Sequence, residues 1–207
     1  MEIPRGGEYA LVLSDGTKVH LNSMSSLRFP VAFTTGKREV ELQGEAYFEV
    51  SKTGQPFIVN ANGIQVEVLG TTFNISAYPD EEYQTTLVNG SVKVSAEKGE
   101  SLILKPSQQA TIALGSNSIQ VRTVDTSFYT SWVKGKINFK DQRLEDIMKT
   151  LSRWYDMNVV YENEKLKNIR FGCNLNRYEE ITPFVKLLEK TEEVHVKIEG
   201  NTITFHN

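Results

Sequence analysis

The chain has 207 residues, with 23 basic and 26 acidic side chains and a formal charge of −3. That near balance excludes the basic footprint of a nucleic-acid binder. A content of 39% apolar and 24% charged residues excludes a disordered or membrane-embedded composition, and one cysteine, Cys173, excludes an internal disulfide or a cysteine-based zinc site.

The N-terminus, Met1-Glu-Ile-Pro-Arg-Gly-Gly7, has no charged-then-apolar signal pattern. It starts abruptly beside an alternating strand pattern, so the chain reads as a fragment of a longer protein with Met1 supplied for expression. No apolar run nears the ~20 residues of a bilayer-spanning helix.

As far as Val124 the periodicity is that of strands. Tyr9–Leu13 leads through Asp15-Gly16 to Val19–Leu21, and Asn62-Gly63 precedes Ile64–Val68. Asn89-Gly90 separates Thr85–Leu87 from Val92–Val94, Lys98-Gly99 precedes Leu102–Leu104, and Gly115–Ser118 precedes Ile119–Val121. Asp-Gly and Asn-Gly between alternating apolar residues are hairpin signals, because both turn positions tolerate positive φ. Turns at this spacing predict an all-β N-terminal domain, a sandwich, roll or barrel of short antiparallel strands, over residues 1–126.

The pattern changes near residue 130. Gly135–Phe139 alternates as a strand, and Leu144, Ile147, Met148, Leu151, Trp154 and Tyr155 then share one helical stripe, with Asp141 placed to cap it. Met157–Tyr161 and Ile169–Cys173 read as strands. Thr182-Pro183 marks a second helix start, with the threonine as cap and Phe184, Leu187 and Leu188 as the apolar face. Val194–Ile198, a turn at Glu199-Gly200-Asn201, and Ile203–Phe205 close the chain as a hairpin. Residues 127–207 therefore form a small α+β domain in the order strand–helix–strand, strand–helix–hairpin.

Nothing in the pattern predicts an active site. Glu45 and Glu49 share a strand face, but four residues separate them by about 13 Å, wider than the roughly 5–9.5 Å of a glycosidase pair. His20, His195 and His206 fall on out-facing strand positions and do not converge in sequence. Asp15 reads as a turn residue and Asp80-Glu81-Glu82 as a solvated loop. Gly70, in Val68-Leu-Gly-Thr-Thr-Phe-Asn74, lacks the lysine and helix of a phosphate loop and marks a bulge or close backbone approach. Cys173 reads as a small buried hydrophobe. No catalytic residue, metal ligand or cofactor follows from these readings, and the expected role is binding or signalling.

Five ordered segments carry a resemblance: Leu13–Asn22, Gly44-Glu-Ala-Tyr-Phe-Glu-Val50, Pro56–Val59, Val68–Ile75 and Leu87-Val-Asn-Gly-Ser-Val92. In this order they resemble the FecR-type anti-sigma factor domain. Trp132, Gly135–Phe139, Leu144, Leu151-Ser-Arg-Trp-Tyr155 and Ile169–Phe171 resemble the C-terminal domain commonly attached to it. One departure is Leu104-Lys-Pro-Ser107, where that family favours Pro-Gly, which predicts a slightly different turn at Ser107.

The resemblance implies the periplasmic part of a single-pass inner-membrane regulator. A cytoplasmic segment absent here would hold an extracytoplasmic-function sigma factor. The N-terminal signalling domain of a TonB-dependent outer-membrane transporter would contact this part and trigger release. The α+β part resembles the short secretin/TonB signalling domains it would meet, so two small sheets could pair edge to edge. Strands Met157–Tyr161 and Ile169–Cys173 are the expected open edges, with Arg153, Tyr155, Tyr161, Arg170, Arg177 and Tyr178 as expected partner-binding residues. The competing expectations are a carbohydrate-binding or adhesin-like β module, using Tyr47, Tyr78 and Tyr83, and an enzyme whose site is assembled from distant residues.

Overall fold

The structure, a computed structural model, describes every residue except Thr35 and Lys98, so the first residue of the Lys98-Gly99 turn lies outside the described residues. Two compact units divide the chain, Met1–Thr130 and Ser131–Asn207.

The first unit contains β1 (Tyr9–Val12), β2 (Lys18–Leu21), β3 (Ser26–Arg28), β4 (Arg38–Glu49), β5 (Phe57–Ala61), β6 (Ile64–Val68), β7 (Thr72–Ala77), β8 (Tyr83–Asn89), β9 (Val92–Ala96), β10 (Ser101–Leu104), β11 (Gln108–Ile112), β12 (Gln120–Thr123) and a single helical turn, α1 (Ser127–Thr130). The strands form one curled sheet, β10-β9-β6-β5-β4-β7-β8-β11-β12, with β2 and β3 also on β4 and β1 on β2.

β4 organises this sheet. Its first residues pair with β5 in parallel, Arg38 opposite Phe57 and Glu41 opposite Asn60. Its last six pair antiparallel with β7, Gly44 opposite Ala77 and Glu49 opposite Thr72. The handover falls at Gly44, where φ is +89° and an added Cβ would lie 2.7 Å from the Ser25 Cα. Only glycine accepts both the conformation and the approach.

Both halves of the sheet feed one core. Phe48 of β4 stacks on Phe73 of β7 at 5.1 Å and lies 6.0 Å from Phe57 of β5. All three rings are fully buried, each stabilising the fold by about 1.5–3 kcal/mol relative to exposure. Alternation along β4 is strict: Ala46 and Phe48 are buried, whereas Glu45, Tyr47 and Glu49 face outward.

Turn chemistry explains the local hairpins. Asn62 and Gly63 both have positive φ, +50° and +77°, and join β5 to β6 with Ala61 opposite Ile64. Asn89-Gly90 differs, because β8 pairs with β7 and β11 and β9 with β6 and β10. That dipeptide carries the chain from one half of the sheet to the other and makes no hairpin. Gly70 is a close approach, with an added Cβ 3.3 Å from the Lys52 Cα and closer still to its side chain. Ser107 has φ +65°, so its turn keeps a glycine-favouring conformation despite the different residue.

The second unit opens with a 3₁₀ turn (Ser131–Lys134) and continues through β13 (Lys136–Arg143), α2 (Leu144–Trp154), β14 (Asn158–Tyr161), a 3₁₀ turn (Glu164–Asn168), β15 (Arg170–Asn176), α3 (Thr182–Glu189), β16 (His195–Glu199) and β17 (Thr202–His206). β13 pairs with β15, and a separate sheet runs β14-β17-β16 with β14 parallel to β17. The α2 stripe buries Leu144, Ile147, Met148, Leu151 and Trp154, and Tyr155 is half-buried at its end. Phe171, Phe184, Leu188, Ile203 and Phe205 complete that core.

Three local expectations are corrected. Asp141 does not cap α2; it sits at φ +50° in a bulge of β13, and Arg143 occupies the cap position without a side-chain hydrogen bond to the helix's backbone amides. Glu145 and Asp146 complement the helix dipole in the first turn instead. Thr182 is the first residue of α3 and Ile181 its cap, and Leu187 is exposed while Phe184 and Leu188 are buried.

Candidate functional site

The elements expected to receive a partner are the strand edges of the second unit. β14 hydrogen-bonds to β17 on one side, and no strand among the described residues pairs with its other side. The Asn158 and Glu162 amides donate toward Asn201 and Phe205 at 2.8 and 3.0 Å. By alternation the Val159 and Tyr161 amides point away from β17, toward the open side. Val160, between them, is 45% exposed. Among the described residues β15 pairs only with β13, so no strand pairs with its far side either.

The six residues singled out in the sequence fall into two groups. Arg153 and Tyr155, both half-buried, end α2, and the Tyr155 hydroxyl donates to the Asn176 carbonyl at 3.3 Å. Burial raises the Tyr155 pKa, and the Glu179 charge adds to the rise against Arg177. Arg177 is 8% exposed, with its guanidinium 4.8 Å from the Trp154 ring centroid. Tyr178 is 69% exposed, its ring lying over Gly135, which has φ +68°.

The second group surrounds Arg143. Arg170 is exposed on β15 opposite Arg143, and it donates to the Asp141 carboxylate at 2.9 Å and to the Asp141 carbonyl. Tyr161 stacks on Phe205 at 5.2 Å, and the Lys167 ammonium lies 5.4 Å from its ring centroid. Burial, then the nearby Glu145 and Asp146 carboxylates, pushes the Tyr161 phenol well above its ordinary pKa.

Elsewhere the chemistry is structural. Glu45 and Glu49 do not act as a pair: Glu45 accepts from Asn22 at 2.7 Å and Asn74 at 2.9 Å, while Glu49 lies 3.6 Å from the Lys18 ammonium. Asp15 forms a buried ion pair with Arg38, a partner that sequence spacing did not indicate. Cys173 is half-buried, and desolvation pushes its thiol up to about 11. Among the described residues no three His, Cys, Asp or Glu side chains converge on a metal position. An open cleft of about 550 Å³ in the first unit is lined by Arg28, Glu41, Gln43, Asn60 and Asn62 among others, with Glu41 3.5 Å from Arg28. Of the tyrosines considered for carbohydrate, Tyr78 and Tyr83 are buried and Tyr47 is half-buried, so they form no exposed platform.

The chain is thus built from a curled β-sheet unit and a small α+β unit whose sheets end in strands that lack a second strand partner among the described residues. The description "FecR protein" matches residues 1–93, and "FecR, C-terminal" matches residues 136–205. A crystal structure of a candidate anti-sigma factor from Parabacteroides distasonis at 1.65 Å is similar along the whole chain. It has a TM-score of 0.91 and 26% identity, and the match covers 100% of this chain and 98% of that one. A second crystal structure carrying that description, at 2.50 Å, gives 0.90 and 26%, covering 100% and 97%. No curated protein matches the chain. The chain belongs to the FecR family of anti-sigma factors, and its role is regulatory.

Proposed function

We propose that this chain is the periplasmic, signal-receiving part of a membrane-anchored anti-sigma factor. Its partner is the N-terminal signalling domain of a TonB-dependent outer-membrane transporter. The sigma factor, of the extracytoplasmic-function class, is held by a segment outside these 207 residues and is controlled from here. No helix among the described residues is long and apolar enough to cross a membrane.

The observation that carries the reading is the open edge of β14 in the FecR C-terminal unit, where outward amides flank the exposed Val160. An incoming strand satisfies those amides by main-chain hydrogen bonds, and neighbouring side chains set specificity. Tyr161, on the same strand, and Arg170, on the open strand β15, are the expected hot-spot residues. Tyr178, Tyr155 and Arg153 offer a second contact, with Arg177 acting through Trp154, on which it is stacked. Recognition makes and breaks no covalent bond, and it calls for no cofactor or metal.

Titration calorimetry of this chain against the transporter signalling domain tests the reading. Val160→Asp, on an exposed side chain, is expected to weaken binding at least tenfold with the melting temperature unchanged. Unaltered binding by that variant, with loss on Ile103→Asp on the exposed strand β10, moves the docking surface to the first unit.

A further inference from the structure

The final hairpin holds an arrangement that partner docking does not use. β16 and β17 turn through Gly200 and Asn201 with Glu199 opposite Thr202, and that register sets His195 opposite His206. Directly opposed residues of an antiparallel pair project from the same face. The two imidazole centroids are 5.6 Å apart with the rings inclined at 35°. His195 is exposed and His206 half-exposed, so both rings meet solvent. The His206 Nδ1 lies 3.3 Å from the Asn207 main-chain oxygen. That contact favours the Nδ1–H tautomer and leaves the Nε2 lone pair free, the usual outer contact of a metal-binding imidazole.

The spacing fits a shared ion. Two imidazole nitrogens each ~2.1 Å from one metal, at tetrahedral or octahedral angles, hold the ring centroids about 4.5–5.2 Å apart. The observed separation of 5.6 Å is about 0.4 Å beyond the tetrahedral end of that range and about 1.1 Å beyond the right-angle end that Cu²⁺ and Ni²⁺ favour, so side-chain rotation has to bring the rings together. We propose that His195 and His206 form a two-imidazole site for a late first-row divalent cation. Cu²⁺ binds first, with Ni²⁺ and Zn²⁺ weaker, in the order that nitrogen ligands impose. Because no three potential ligands converge among the described residues, water or a donor from another molecule fills the remaining positions. The ion bridges β16 and β17 at the end of the hairpin away from its turn, so it opposes fraying there and stabilises the folded chain by linkage.

The test is calorimetric titration of the untagged chain with CuCl₂ and NiCl₂ in a non-coordinating buffer, paired with thermal melts. One equivalent is expected to bind saturably and raise the melting temperature. Electron paramagnetic resonance of the Cu²⁺ form should show coupling to two nitrogens. His195→Gln and His206→Gln should each weaken binding at least tenfold and abolish the melting shift. His20→Gln, in the other unit, should change neither. Equal binding by the double variant, or no saturable binding below millimolar ion, overturns the proposal.

Discussion

The Arg38 Nη1 lies 2.6 Å from the Asp15 Oδ2, and the two side chains are 1% and 7% exposed. Arg38 opens β4, and Asp15 sits in the turn between β1 and β2. The guanidinium also donates to the carbonyls of Ser51 at 2.9 Å and Gln55 at 2.6 Å, and its carbon lies 5.4 Å from the Phe57 ring centroid. The carboxylate accepts from the Thr17 amide and hydroxyl. One buried pair thus fastens the first hairpin and the loop after β4 to the edge of the core.

Removing one partner leaves the other charge buried and alone. Arg38→Met is expected to cost about 3–5 kcal/mol, and adding Asp15→Leu should recover part of that loss. Urea unfolding midpoints of the single and double variants measure both. A cost below about 1 kcal/mol for the single variant would show that the pair contributes little.

The same pair predicts a dependence on pH. Burial alone raises the Asp15 pKa, but the Thr17 hydrogen bonds and Arg38 outweigh it, leaving the group below its ordinary value. The unfolded chain therefore binds this proton more readily. The contribution is complete above the ordinary carboxylate pKa of about 3.9 and is lost as pH falls through the lower folded value. Asp15→Asn should flatten the acid limb of a stability–pH curve and leave its slope above pH ~6 unchanged.

At Gly44, alanine meets both the positive φ and the Ser25 backbone. Gly44→Ala should destabilise the protein by more than about 1 kcal/mol, read as a lower denaturant midpoint with an unchanged slope.

Ser107 carries the opposite lesson. Its φ of +65° is strained for serine, and its side chain is exposed. Ser107→Gly should be neutral or stabilising by up to ~1 kcal/mol, whereas Ser107→Val should destabilise, both read as melting shifts.

Cys173 should react slowly. With its thiol pushed up to about 11 by burial, roughly one molecule in a thousand carries the thiolate at pH 8. Modification by a thiol-disulfide reagent should run far slower than with a free thiol and accelerate to the free-thiol rate in denaturant.

Elements set by local chemistry were legible in the sequence. Asp15-Gly16 and Asn62-Gly63 announce their turns, and the Leu144-to-Trp154 stripe announces α2, because their causes lie within a few residues. The parallel pairing of β4 with β5 was not legible, since register between distant strands depends on which faces the core selects. Asn89-Gly90 looked like a hairpin for the same reason: a turn dipeptide says the chain reverses, not which strands receive it. The pairing of Arg38 was not legible either, because its burial depends on Asp15, Ser51 and Gln55 arriving together. The facing of His195 and His206 could have been found by counting outward from Gly200-Asn201. Tyr161 and Arg170 were singled out from composition, whereas the exposure of Val160 depends on β14 lying at the end of its sheet.

β4 has a mechanical consequence. A single uninterrupted peptide belongs to the ladders on either side of Gly44, so neither set of strands can detach while the other stays intact. Melting of residues 1–130 should absorb heat in one peak.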